Sequence, residues 1–292
     1  MHCQGVQLFG ILQIEGGEAV KRIKDWEELT IQDNFLFQKV MRNKRLCQYL
    51  IEKILQIKIV EITYPDTEKA IDIRLDSKSV RLDVYVQDDA GRVFNIEMQC
   101  TDEQDSGLAK RTRYYQAMID MDMLKKGEVY NKLRPSYIIF ICTFDAFDAG
   151  LPMYTFRNRC IETEGLELGD EGTKIFLNSK GDSDTLDPDV RAFLRYVDGK
   201  AAEGAFVKAV EREVIRVKEH KETRREYMTL AMELERQRQF GREEGREEGR
   251  EEERLQMILA MLKDGVAKET IAKYARVSVE YITELGKKNH LL

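Results

Sequence analysis

Histidine is nearly missing from this chain of 292 residues: His2, His220 and His290 are the three present, and they lie near the ends or in charged helical sequence. Mechanisms that need paired histidines, zinc peptidases and Ser-His-Asp hydrolases among them, have little to work with. There is also no GxxxxGK[ST], no GxGxxG after a strand and no GxSxG. Any catalysis must rest on carboxylates. Cysteine is sparse and odd in number: Cys3, Cys47, Cys100, Cys142 and Cys160 are widely spaced without a CxxC. Neither a disulfide framework nor a zinc cage is indicated, and a reducing cytoplasm is the expected compartment. No apolar stretch approaches the roughly 18 residues of a membrane-spanning helix. The patch Val6 to Ile14 has no Lys or Arg before it and no small-residue cleavage site after it, so a signal peptide is not expected.

What is present is an apolar fraction of 42% with 34% charged residues, enough to build a core. The length suits one large domain with an appendage, or two modest domains. Charge is uneven along the chain. Residues 34 to 60 carry six Lys/Arg against one Glu, residues 61 to 105 five basic against twelve acidic, and residues 106 to 134 seven basic against three acidic. A carboxylate-rich centre thus lies between two basic flanks. The net charge of −6 argues against indiscriminate polyanion binding, yet basic faces around an acidic site can hold a phosphodiester backbone.

Apolar spacing predicts a helix from about Asp33 to Gln56, with Phe37, Val40, Met41, Leu50, Ile54 and Leu55 on it. Three β-type runs follow near 69 to 76, 80 to 87 and 93 to 100, then a helix from about Gly107 to Lys126 closed by Gly127. The nearly continuous apolar run Tyr137 to Phe144 reads as a central strand buried on both faces. The order α-β-β-β-α-β predicts an α/β fold with a mixed sheet flanked by helices. Further strands are expected at 153 to 158 and 173 to 178, and helices at 187 to 198 and 203 to 226.

Residues 80 to 100, VRLDVYVQDDAGRVFNIEMQC, alternate on both sides of the turn signal Asp88-Asp89-Ala90-Gly91 and predict a hairpin. Centring its register on Ala90 pairs Leu82 with Met98, Val84 with Ile96 and Val86 with Phe94. The other face then sets Asp83 opposite Glu97, Tyr85 opposite Asn95 and Arg81 opposite Gln99. A slip of one residue would set polar side chains against apolar ones, so the pattern selects this register. Two carboxylates facing each other across a hairpin repel unless a cation or proton intervenes. Oxygen-only ligands favour Mg²⁺ or Mn²⁺ over zinc and leave positions for water and a substrate phosphate, with Gln99 on the same face to orient either. The competing reading is a solvent-facing strand with scattered polar residues.

Asp83 followed after fourteen residues by Glu97-x-Gln99, within this element order, resembles the PD-(D/E)xK nuclease superfamily. The closer resemblance is to its recombination-promoting nuclease and transposase family (Rpn). It is carried by residues 33 to 40 (DNFLFQKV), Leu82-Asp83-Val84, residues 95 to 99 (NIEMQ), residues 110 to 115 (KRTRYY) and residues 126 to 130 (KGEVY), and covers about residues 26 to 165. The resemblance implies a restriction-endonuclease-like core and a metal-dependent DNA endonuclease that promotes recombination or DNA mobility. Asp83 and Glu97 would hold Mg²⁺ or Mn²⁺, and Gln99 would stand where the superfamily usually has lysine. Asp33 would supply a further acidic group, although a place at the start of its helix equally suits an N-cap. A glutamine offers a neutral dipole where a lysine brings charge, and Lys110 or Arg111 on the following helix could supply that charge. Lys110, Arg111, Arg113 and Tyr115 are the expected DNA contacts, the alternative for Arg111 and Tyr115 being an ordinary surface pair.

The expected organisation is an extension at 1–25, a nuclease-like domain at 26–200, a charged helical linker at 201–252 and a small helical unit at 253–292. The linker contains three copies of Gly-Arg-Glu-Glu from Gly241 to Glu252. In the last unit Gly265 breaks one helix and Ser278 caps another, an outline that favours self-association over reading of DNA. The resemblance implies DNA as the partner; no membrane partner is expected, and the C-terminal helices are the expected place for any homo-oligomer contact. Two readings compete with the nuclease: a DNA-binding or assembly protein that keeps the fold without cutting, and a self-associating structural protein.

Overall fold

The computed structural model describes residues 9–15, 18–64, 70–71, 80–100, 107–181 and 184–291. Strands β1 (Phe9–Glu15) and β2 (Glu18–Ile23) form a separate antiparallel pair. Helices α1 (Asn34–Met41) and α2 (Lys44–Leu55) follow, then short strands β3 (Ile62–Thr63), β4 (Ala70–Ile71) and β5 (Val80–Arg81). Strands β6 (Val84–Asp88) and β7 (Val93–Gln99) lead into helix α3 (Leu108–Met123). Strands β8 (Ser136–Cys142), β9 (Met153–Phe156) and β10 (Gly172–Asn178) come next. Helices α4 (Pro188–Val197), α5 (Gly204–Glu219), α6 (Lys221–Lys263), α7 (Lys268–Ala275) and α8 (Val279–Lys288) end the described chain.

Six strands form one mixed sheet in the order β3-β6-β7-β8-β10-β9. Strand β8 lies between two parallel neighbours, β7 and β10, while β3, β6 and β9 pair antiparallel. Residues Ile138 to Cys142 are all buried, which is why this strand reads as an unbroken apolar run. Of the expected run 69 to 76, Ala70 and Ile71 pair with Arg81 and Val80 in a small sheet of their own; 69 and 72–76 lie outside the described residues. The architecture is α/β.

The helix expected over 33 to 56 is two helices. Asn43 adopts extended backbone, and its side chain accepts the Leu46 N–H, so it caps α2 where apolar periodicity alone would run through. The helix expected over 203 to 226 likewise divides at His220, whose backbone is extended. Helix α1 packs on β7 and α5, and α3 packs on β8. Leu108, Tyr115, Met118 and Ile119 of α3 share a cluster with Tyr85, Val93, Ile138 and Phe140. The odd-numbered residues of β7 therefore turn toward α3, and the even-numbered ones to the opposite side.

The chain divides into two compact units, Met1–Tyr227 and Met228–Leu292. In the second, Ile258, Leu262, Ile271, Ala272, Ala275 and Ile282 form a core flanked by Val277 and Leu285. Gly265 ends the preceding helix with φ +72°, and the Ser278 side chain accepts the Tyr281 N–H at the start of α8. Gly241, Gly245 and Gly249 lie inside α6, and a Cβ at any of them would meet nothing within 4 Å. No helix among the described residues is long and apolar enough to cross a membrane.

Candidate active site

The hairpin adopts the expected register, with Val84 opposite Ile96, Tyr85 opposite Asn95 and Val86 opposite Phe94. Its turn is tied by the Asp88 carboxylate, which accepts the N–H groups of Ala90 and Arg92 at 3.0 and 2.8 Å. Gly91 supplies the positive φ of 79° that the turn requires.

The ladder stops at Val84. Beyond it the chain bends at Asp83, so Asp83, Leu82 and Arg81 do not take the expected ladder places opposite Glu97, Met98 and Gln99; Leu82 joins the cluster under α3. Side-chain hydrogen bonds replace the missing rungs. The Asp83 N–H donates to Glu97 Oε1 at 3.0 Å, and the Met98 N–H donates to Asp83 Oδ2 at 3.1 Å. Gln38 of α1 donates to Asp83 Oδ1 at 2.9 Å. The Glu97 carboxylate is thus held by the Asp83 N–H, and the Asp83 carboxylate by the N–H of Met98, the residue after Glu97.

Glu97 is 3% exposed. Burial, and then the charge of Asp83, push its pKa well above the ordinary carboxylate range. Arg111, the Asp83 N–H and the nearby Asn95 amide act in the opposite direction. That amide is fully buried and close enough to influence Glu97, but neither its nitrogen nor its oxygen makes an aligned hydrogen bond. Gln99, 2% exposed, accepts from Arg111 Nη2 at 2.9 Å. The Arg111 guanidinium lies 4.8 Å from the Phe140 ring centre and 5.5 Å from that of Tyr115.

Tyr115 is itself buried and stacks on Phe140. Burial and the charge of Glu97 raise the pKa of its hydroxyl. Lys110 and Arg113 point outward and are exposed. The four residues expected to meet DNA therefore divide into an inward pair, Arg111 and Tyr115, and an outward pair, Lys110 and Arg113.

Asp33 occupies the N-cap position of α1, with its carbonyl accepting the Phe37 N–H, but its side chain caps nothing in the helix. The carboxylate turns back to accept the Thr30 N–H and Lys24 Nζ, each at 2.7 Å. Its charge reaches Cys100, whose thiol is pushed up to about 12 by burial and then by Asp33. Cys100 also donates to the Gln32 carbonyl, tying the start of α1 to the end of β7. Gln38, Lys24, Asn95 and Phe140 were not singled out from sequence. A polar residue within the apolar α1 segment was the available signal for Gln38, and Asn95 lay on the polar face of the hairpin.

Among the described residues, no group of three or more His, Cys, Asp or Glu side chains is arranged around a metal position. The Asp83–Glu97 pair nevertheless fits a hard divalent cation. Its donors are carboxylate oxygens, and such an ion would offset both the burial and the neighbouring Asp83 charge that raise Glu97.

Residues 34–178 match the model of the PD-(D/E)XK nuclease family transposases, and the chain belongs to that family. The matched span begins at the first residue of α1 and ends at the last of β10, so it contains the whole six-stranded sheet. The sheet and helices are consistent with a PD-(D/E)XK nuclease-like fold. Membership implies a nuclease- or transposase-like role with DNA as substrate, and nucleases of this type use divalent metals. Comparisons with curated proteins and with solved structures give no significant match.

Proposed function

We propose that this chain is a Mg²⁺-dependent DNA endonuclease, with Mn²⁺ as an alternative ion, that hydrolyses phosphodiester bonds and promotes recombination or DNA mobility. The observation that carries this reading is the carboxylate pair at the end of β7, a buried Glu97 beside a half-buried Asp83, tied by two backbone N–H bonds. Setting a half-buried carboxylate beside a buried one costs stability, which supports a functional reading over a structural one.

Asp83 and Glu97 would hold the cation. When bound, the ion acidifies water and polarises the phosphodiester. Gln38 and the Met98 N–H keep the Asp83 carboxylate oriented. Gln99 positions water or a phosphate oxygen, directly or through Arg111. Asp33, compensated by Lys24, is a further acidic group at the start of α1, and Tyr115 supports Arg111 through its ring. Lys110 and Arg113 meet flanking phosphates, fixing the duplex without reading sequence. In the reaction the water oxygen bonds to phosphorus as the bond to the leaving sugar oxygen breaks. The water proton passes to solvent and the leaving oxygen is protonated.

The C-terminal helices form the self-association unit in this reading, with Met257, Tyr274 and Tyr281 exposed there. Light scattering of the full chain should give a mass above 34.1 kDa. The functional test is conversion of supercoiled plasmid to nicked or linear DNA in Mg²⁺, Mn²⁺ and Zn²⁺. Cleavage should follow Mg²⁺ or Mn²⁺ and be poor in zinc, and better cleavage in zinc would reject the oxygen-ligand assignment.

A further inference from the structure

Phosphodiester hydrolysis spreads negative charge over the phosphoryl oxygens in the transition state. The centre that would promote it is itself acidic, and Arg111 is a cation built into it. The Arg111 Cζ atom lies 4.8 Å from the Phe140 ring centre and 5.5 Å from that of Tyr115. Nη2 is fixed by Gln99 Oε1 at 2.9 Å, while Nε is buried without an acceptor. Arg111 is also close enough for its charge to act on Glu97. Its neighbours on α3, Lys110 and Arg113, are exposed and share none of these contacts.

We propose that Arg111 is a catalytic residue that contacts the transferred phosphoryl group through its guanidinium N–H groups, and that Gln99 is the positioning residue that holds it. This deepens the nuclease reading and rests on it. A half-buried guanidinium seated against two rings and oriented by an amide reorganises little as charge develops, which is the condition under which such a donor is most effective. The planar fork suits two oxygens of one phosphate. Gln99 follows Glu97 by two residues on the same strand face, so a lysine there would bring an ammonium to the region that Arg111 now serves from α3. Charge delivered from either element should be exchangeable.

The full chain is assayed with duplex DNA and Mg²⁺, with saturating single-turnover rates and DNA affinity measured separately. Arg111→Gln should slow the saturating rate about 100-fold and weaken DNA binding by less than about tenfold. Arg111→Lys should fall between the two. Adding Gln99→Lys to Arg111→Gln should restore about tenfold or more, a gain that a packing role would not produce. Arg111→Met keeps an apolar stem of similar length against the rings and must show the same loss and recovery, which guards against poor folding of the glutamine variant. Loss of affinity with an intact saturating rate would reduce Arg111 to a backbone contact. Failure of Gln99→Lys to restore either neutral variant, with melting temperatures unchanged, would overturn the proposal. Asp83→Asn separates the two levels: wild-type protein that does not cleave, or an Asp83→Asn variant that cleaves normally, rejects the nuclease reading. Normal cleavage by Arg111→Gln beside an inactive Asp83→Asn rejects the Arg111 role alone.

Discussion

Along β7, Phe94, Ile96 and Met98 turn to one side of the sheet and Asn95, Glu97 and Gln99 to the other, and none of the six is more than 3% exposed. Burial is the same on the two faces, but the energetics are opposite. Each large apolar side chain gains about 1.5 to 3 kcal/mol on leaving water. A buried amide without an aligned partner, or a carboxylate beside another carboxylate, costs stability instead. The first face holds the strand in place. The second is tolerated because the first is strong, and its residue types make sense as chemistry.

The comparison can be broken most severely on the apolar face. Ile96→Asn would leave a smaller side chain with an unpaired amide in the core, and urea unfolding should show a loss of about 4 kcal/mol. Glu97→Gln, one residue away, should instead leave the metal-free protein as stable or about 1 kcal/mol more stable, because it removes a repelled buried charge. Equal destabilisation by both would mean that the two faces do the same work.

The next effect depends on pH. Folding holds the Glu97 pKa above its ordinary value of about 4.3. Between that value and the raised one the folded state binds more protons than the unfolded state. Its contribution to stability is therefore fully present below the ordinary value and lost as pH rises through the raised one. Mg²⁺ competes for the ionised form, so its stabilisation should be larger at pH 8 than at pH 5, about 1.4 kcal/mol at ten times its Kd. Melting temperatures with and without Mg²⁺ measure this, and Glu97→Gln should flatten the difference.

Smaller changes sharpen the picture within the polar face and beyond it. Gln99→Ala should lower turnover about tenfold, or about 1.4 kcal/mol, while metal affinity changes less. Equal losses of metal binding and turnover would make Gln99 a ligand. Arg113→Ala should weaken DNA binding by under about 1 kcal/mol and reduce the slope of log affinity against log salt by about one. An unchanged slope would remove Arg113 from the DNA-binding surface.

The sequence makes some of this site legible because strand alternation is a local property. A two-residue period sets Asn95, Glu97 and Gln99 on one face, and the turn fixes their register against β6. The bend at Asp83 is different in kind. It depends on side-chain hydrogen bonds to Glu97 and Met98 and on Gln38, 45 residues earlier, and such contacts leave no periodic trace. The same holds for the carboxylate of Asp33. Its backbone position at the start of α1 could be read from the apolar pattern, but the turn toward Lys24 and Thr30 could not. On α3, spacing placed Arg111 and Tyr115 on one face. That this face points inward became clear only with the sheet in place.

The central claim is that Asp83 and Glu97 form one metal-dependent cleavage centre. The most direct measurement is plasmid cleavage by wild-type protein, Asp83→Asn and Glu97→Gln, side by side in Mg²⁺ and in EDTA, with melting curves recorded for each. Cleavage by wild type in Mg²⁺ alone, absent from both folded variants, is the predicted result. Cleavage that persists in EDTA, or in either variant, would contradict it.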